Sequence, residues 1–152
     1  MNFSSKKEAT FDEKGRVVLP ADYKNEMGGS VPGGQLAVEK DPYEKCLNIY
    51  TMEEWEKRIA QITSKLNRDN RQQSRMLDMF YRNFKIIQVP DSCRMNIPNN
   101  FLELVGITKE VIFTGQGDRI RLWDAGEYNR YTMTWEDFGS SFDRIVGGNE
   151  EK

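Results

Sequence analysis

"FDEKGRVVLP", residues 11–20, packs a tight turn and the start of a strand into ten residues. Asp12 is placed to accept hydrogen bonds from the turn backbone, and Gly15 takes a positive φ without steric penalty. Lys14 and Arg16 then project from the tip and exit of the turn. An arginine held on rigid backbone suits forked contacts with phosphate oxygens or a guanine edge. The same spacing allows a plainer outcome, in which Asp12 and Arg16, four residues apart, pair with each other. The string alone leaves both open.

A related phrase, "VPDSCRMNIP", stands at residues 89–98. A shift of 78 lays Arg16 on Arg94, Leu19 on Ile97, Pro20 on Pro98, Tyr23 on Phe101, Met27 on Val105 and Gly28 on Gly106. Six matches of type in one register mark an internal repeat. In each copy a short apolar strand, "RVVL" or "RMNI", meets a proline whose fixed φ suits the first helical position. The aromatic and apolar residues that follow form one helical face over about two turns, and Gly28 or Gly106 supplies a left-handed C-cap.

Strands "QLAV" and "VIFT", then "CLNIY" and "RIRLW", come next, alternating as half-buried strands do. Thr51–Glu54 and Asp124–Glu127 are capping boxes that start a helix in each half. Their shift is 73, because the first-half loops "GGSVPGGQ" and "EKDPYEKC" are longer than their counterparts. Trp55, Ile59, Ile62 and Leu66 keep helical spacing, Asn67–Asn70 breaks it, and Met76, Leu77, Phe80 and Phe84 predict a second helix before strand "KIIQV". After Tyr128, the residues Tyr131, Trp135, Phe138 and Phe142 are helix-spaced but interrupted by glycine, which predicts a weak or broken helix. The tail "GGNEEK" reads as disordered.

We therefore expect an α+β, β-rich chain, one compact domain over residues 1–152 built of two repeats. The first half runs 5–56, a helical connection 57–84, the second half 85–130 and a C-terminal extension 131–152.

Composition narrows the function. Hydrophobic residues are 38% and charged residues 30%, and no apolar run approaches the ~18 residues of a membrane span. The N-terminus "MNFSSKKEATF" has no apolar leader, so a cytoplasmic protein without membrane contact is expected. Histidine is absent, which removes His-based triads, His–metal sites and imidazole acid/base work. "GGSVPGG" lacks the lysine and spacing of a P-loop and reads as a hairpin loop. No catalytic residue, metal, cofactor or small-molecule substrate is expected, and Cys46 and Cys93 read as small apolar packers. Net charge is −2, yet Lys57–Lys85 carries eight cations against two acids, a surplus of +6 that makes either a solvated helical face or a surface for phosphate.

The residues "DEKGRVVLPADYK", "CLNIYTMEEWEK" and "RMNIPNNFLELVGITKEVIFTGQGDRIRLWDAGEY" resemble the MraZ family, bacterial regulators made of two tandem AbrB-type (SpoVT-AbrB) halves. The resemblance covers about residues 6 to 130. It implies halves interlocked as a pseudo-two-fold swapped-hairpin β-barrel flanked by helices. It also implies protomers assembled into a homo-oligomeric ring, and binding of double-stranded DNA at short direct repeats upstream of the division and cell-wall genes, hence a nucleoid-associated protein. Asp12, Lys14, Gly15 and Arg16 match the family turn, Lys14 and Arg16 as DNA contacts and Asp12 and Gly15 as turn supports.

In the second half only Arg94 matches. Pro90 replaces the aspartate and Cys93 the glycine, with Asp91 the nearest substitute carboxylate. Proline supplies no side-chain acceptor and cysteine tolerates positive φ poorly, so Arg94 is expected to be held less rigidly and to contribute less to base readout. That degeneracy keeps a second reading open, a ring-forming structural or protein-interaction protein with lost or altered DNA specificity.

Overall fold

Pro20 and Pro98 sit as N-caps, at φ −57° and −55°, and each launches a six-residue helix. In the computed structural model, which describes residues 1–148, the elements run as follows. The first half holds β1 (Lys6–Thr10), β2 (Arg16–Val18), α1 (Ala21–Glu26), β3 (Gln35–Lys40) and β4 (Leu47–Thr51). Two connecting helices follow, α2 (Met52–Thr63) and α3 (Arg71–Arg82). The second half holds β5 (Phe84–Gln88), β6 (Arg94–Asn96), α4 (Asn99–Leu104), β7 (Glu110–Gly115) and β8 (Ile120–Asp124), and ends in α5 (Ala125–Tyr131) and α6 (Trp135–Ile145). Gly28 and Gly106 close α1 and α4 at φ +96° and +68°, in the region where a Cβ is penalised.

Six strands form one antiparallel sheet in the order β1-β7-β8-β4-β3-β5, and β2 pairs separately with β6. Lys6 of β1 lies opposite Thr114 of β7, and Ile86 of β5 opposite Ala37 of β3. The opening strand of each half thus extends the other half's hairpin. The two hairpins meet at a seam where Asn48 of β4 faces Arg121 of β8.

The sheet is open. β1 and β5 are its edges, and the closed barrel expected from sequence is corrected to an open sheet with a detached ribbon. Closure would require β1 or β5 to carry its ladder into the ribbon; instead the chain turns at 11–15 and 89–93, and the three-residue strands β2 and β6 spend their hydrogen bonds on each other.

One face of the sheet carries the main core. Leu36, Val38, Ile49, Phe113 and Leu122 pack with Val17 and Met95 from the underside of the ribbon and with Tyr23 and Phe101 from α1 and α4. The other face holds two aromatic clusters. In one, Trp55 of α2 lies 5.4 Å from the Tyr50 ring, 5.8 Å from Phe80 of α3 and 4.7 Å from Phe84. In the other, Trp123 meets Tyr128 and Tyr131 of α5. Covered on both faces, β4 is buried along its whole length rather than on alternate residues.

Between the clusters lies a buried polar seam. Arg121 Nη2 donates to Asp41 Oδ2 at 2.8 Å, its Nε to Asn48 Oδ1 at 3.3 Å and its Nη1 to the Tyr131 hydroxyl at 3.1 Å. Asn48 Nδ2 donates to both Asp41 and Glu39, Tyr50 donates to Glu39, and Arg58 Nε approaches Glu39 Oε1 to 2.6 Å as an ion pair. Burial pushes the Asp41 carboxyl up, but the Glu44 amide, Arg121, Asn48 and the Tyr43 amide outweigh it and hold the group at about 2.

The N-cap residues of the two boxes start α2 and α5 as expected, while Glu54 and Glu127 turn to Lys57 and Arg130. The Thr51 hydroxyl accepts from Glu54 N, and the Asp124 carboxylate from Gly126 N and Glu127 N. Three details differ from the sequence reading. Phe84 belongs to β5, where the sheet ladder takes it from the end of α3. The break after Tyr131 falls at Thr132–Thr134, where Thr134 caps α6 by accepting from Asp137 N, whereas Gly139 lies within α6. Residues 28–34 join a helix to a strand through a short 3-10 turn at Pro32–Gly34, so they are not a hairpin loop. Of the expected disordered tail, residues 149–152 lie outside the described residues. Both cysteines are buried and unpaired, and burial raises the Cys46 thiol to about 12.

Candidate nucleic-acid interface

The turn at 12–15 is tied by one carboxylate. Asp12 Oδ1 accepts from Lys14 N at 2.9 Å and Arg16 N at 3.0 Å, while the backbone closes through Asp12 N to Arg16 O and Gly15 N to Asp12 O. Gly15 sits at φ +76°, and a Cβ there would touch nothing, so conformation rather than space demands glycine. These bonds hold the Asp12 carboxyl below the usual carboxylate range, the Arg16 amide contributing most.

Asp12 and Arg16 do pair, Nε to Oδ2 at 2.9 Å, as the plainer reading held. The contact uses Nε alone. Among the described residues neither Nη atom of Arg16 has a partner, so the pair fixes the stem and leaves the distal fork available. Lys14 is exposed beside it, likewise without a side-chain partner among the described residues.

The second turn keeps the backbone and loses the tether. Cys93 adopts φ +59°, donates its amide to Pro90 O at 2.8 Å and accepts Leu19 N at its carbonyl. The turn therefore forms with cysteine in the left-handed region. Its thiol is buried in the main core, and that packing together with the ribbon's bonds compensates for a conformation that costs roughly 1–2 kcal/mol. Pro90 offers no carboxylate, and among the described residues Asp91 makes no hydrogen bond to the turn and Arg94 has no side-chain partner.

The ribbon brings the two turns onto one surface. Its register sets Arg16 opposite Asn96 and Arg94 opposite Val18, with Val17 opposite Met95. Strand side chains alternate, so once Val17 and Met95 enter the core, Arg16, Val18, Arg94 and Asn96 all face outward. Val18 is 49% exposed, an apolar residue with no role in the core. Val18 and Asn96 were not singled out from sequence. The signal was present, since period-two alternation in "RVV" and "RMN" places them beside the arginines, but only the ribbon pairing puts all four on one face.

The basic stretch 57–85 lies elsewhere. It runs from α2 through α3 to Lys85 in β5, and the two helices cover the sheet face opposite the ribbon through Trp55 and Phe80. Two of its cations are already engaged, Arg58 by Glu39 and Lys57 by Glu54. Among the described residues no cluster of three or more His, Cys, Asp or Glu is arranged to hold a metal, and no helix is long and apolar enough to cross a membrane.

Comparison with known proteins gives a family match over most of the chain. Residues 3–79 and 87–145 match the family described as "MraZ protein, putative antitoxin-like". The chain is 32% identical over 149 residues to the Transcriptional regulator MraZ of Phocaeicola vulgatus, covering 98% of this chain and 96% of that protein. It is 28% identical over 139 residues to the protein of the same name in Bacteroides fragilis, with 91% and 87% covered, and 31% identical over 127 residues to that of Nitrosomonas eutropha, with 84% of each covered. Matched across both repeats and the helices that join them, the chain belongs to the MraZ family.

Proposed function

We propose that this chain is a sequence-specific, double-stranded-DNA-binding transcriptional regulator of the division and cell-wall gene cluster. It works in the cytoplasm at the nucleoid, as a homo-oligomeric ring whose protomers each address a promoter repeat. The observation that carries the reading is the ribbon face. It offers Arg16 on a tethered stem, with neither Nη atom partnered among the described residues, Lys14 at the turn tip, and Arg94 on the same surface. A two-stranded ribbon fits the major groove, where an arginine fork matches guanine O6 and N7 and a lysine meets phosphate. The names of the relatives support regulation of transcription. The site holds no catalytic constellation in this reading, and no cofactor enters it.

We read the chain as one domain with halves 5–56 and 85–130, a helical connection 57–84 and an extension from 131. The exchange of β1 and β5 between the hairpins is the interlock of a swapped-hairpin tandem pair, short of barrel closure. Asp12 and Gly15 support the first turn, and Arg94, lacking such support, is the lesser contact. Ring assembly multiplies individually weak contacts through effective concentration.

Titration of labelled duplex carrying the repeats, against a scrambled duplex and over a range of salt, tests this. Preference for the repeats with affinity falling steeply as salt rises supports the regulator. Equal and salt-insensitive binding of both would overturn it in favour of a ring-forming structural or interaction protein with lost or altered DNA specificity.

A further inference from the structure

Among the described residues, α6 presents an apolar stripe that no other element of the chain buries. It has no buried residue, and its apolar side chains Trp135, Phe138, Phe142 and Ile145 recur at helical spacing, Trp135 being 86% exposed. Among the described residues, the ring contacts of these aromatics are only with one another. Its counterpart in the first half behaves differently. α3 turns back after α2 and stacks Phe80 on Trp55, whereas α6 leaves α5 at Thr132–Thr134 and the Trp123 cluster is closed by Tyr128 and Tyr131 of α5 instead. An apolar stripe of this size on one helix marks an interaction surface.

Charge selects the occupant. Residues 135–145 carry Glu136, Asp137 and Asp143 against Arg144, a net of −2, so nucleic acid and anionic lipid are both repelled. The complementary surface is on the same chain. α2 and α3 flank an open groove lined by Leu66, Ser74, Leu77 and Tyr81, with Arg68 and one acid, Asp78, on its wall. Arg71, Arg75 and Arg82 share one stripe of α3 with Asp78, beside the Ser74 and Tyr81 side of that groove, so three arginines outnumber one acid there. This is the +6 stretch that the ribbon leaves unused, on the opposite face of the sheet. α3 and α6, of twelve and eleven residues, are also matched in length at about 17 Å.

We infer that α6 of one copy docks in the α2–α3 groove of the next copy, apolar stripe inward and acids against the arginines. The contact joins two different surfaces, so it is heterologous and propagates from copy to copy until rotation closes a ring. The inference rests on the ring reading above and supplies its interface. It also assigns the basic stretch to protein rather than phosphate.

Mass in solution by light scattering separates the two claims. Wild type is expected to be a closed oligomer, and Phe142→Asp a monomer whose circular dichroism is unchanged, because Phe142 is half exposed and no residue of α6 is buried. Charge reversal gives the second arm. Glu136→Lys/Asp137→Lys and Arg71→Glu/Arg75→Glu are each expected to stay monomeric alone and to form an alternating assembly when mixed one to one. A monomeric wild type overturns the ring reading itself. A wild-type oligomer that survives Phe142→Asp, or reversed variants that assemble alone as well as together, overturns only the docking. Arg71→Glu/Arg75→Glu that keeps the assembly but loses binding to non-specific duplex returns the basic surface to phosphate and also overturns the docking.

Discussion

Arg121→Met is the perturbation that most tests how the two halves are joined. Methionine keeps the apolar stem but removes three donated hydrogen bonds, to Asp41 at 2.8 Å, Asn48 at 3.3 Å and Tyr131 at 3.1 Å. Asp41 is then left as a carboxylate 2% exposed, with Asn48 and the amides of Tyr43 and Glu44 as its remaining donors among the described residues. Removing one partner of a buried pair costs about 3–5 kcal/mol, most of it the penalty of the stranded charge. For a chain of this length that is a fall in Tm of roughly 6–20 °C. Urea unfolding at pH 7 and one fixed protein concentration, since assembly shifts apparent stability, reads the loss as a lower midpoint at unchanged slope.

Asp41→Asn/Arg121→Met should then cost less than the sum of the single changes, by about 0.5–3 kcal/mol, because it removes the charge that Arg121 compensates. The pH dependence has a defined sign. With the folded Asp41 held at about 2 against an ordinary 3.8, its contribution is complete above about pH 4 and is lost as pH falls towards 2. Arg121→Met should narrow that window. A loss below about 1 kcal/mol, or strict additivity in the double variant, would show that the seam is solvated and that the halves are held by apolar packing alone.

Other consequences follow from the same geometry. Trp55→Ala empties the cluster of Tyr50, Phe80 and Phe84 and should cost about 3–5 kcal/mol in chemical denaturation. Pro90→Asp/Cys93→Gly gives the second turn the carboxylate and glycine of the first; repeat-DNA affinity should rise several-fold, and Arg94→Ala in that background should cost more than in wild type. Cys93→Gly by itself trades relief of φ +59°, worth roughly 1–2 kcal/mol, against loss of a buried thiol of similar size, so its stability should stay within about 1 kcal/mol of wild type by the same denaturation. Asp12→Ala should lower repeat affinity about tenfold while leaving circular dichroism unchanged, because it frees the Arg16 stem without touching the core.

What could be read from sequence was what short stretches of backbone decide for themselves. Gly28 and Gly106 as left-handed stops, Thr51 and Asp124 as caps, and Pro20 and Pro98 ahead of helices all depend on a few neighbouring residues. The 78-residue echo extended those local facts to both halves. What was missed is non-local. Pairing of β1 with β7 and of β5 with β3 is settled by which hairpin edge is free, and the polar seam joins Asp41 and Asn48 to a residue 73 or more positions away. Cys93 shows local preference overruled, since the ribbon's hydrogen bonds and burial of the thiol impose a left-handed residue where composition argues against one. At the site, Asp12, Lys14, Gly15 and Arg16 were legible because the turn is four residues long. Val18 and Asn96 needed the ribbon register.

The central claim is that the ribbon face, led by its tethered turn, recognises DNA. Equilibrium titration of repeat duplex with wild type, Arg16→Ala and Arg94→Ala at one salt concentration tests it most directly. The account predicts that Arg16→Ala loses on the order of 10–100-fold, one bidentate contact being worth about 1–3 kcal/mol, and that Arg94→Ala loses only a few-fold. Equal losses would contradict the asymmetry of the two turns, and no loss from either would contradict the interface itself.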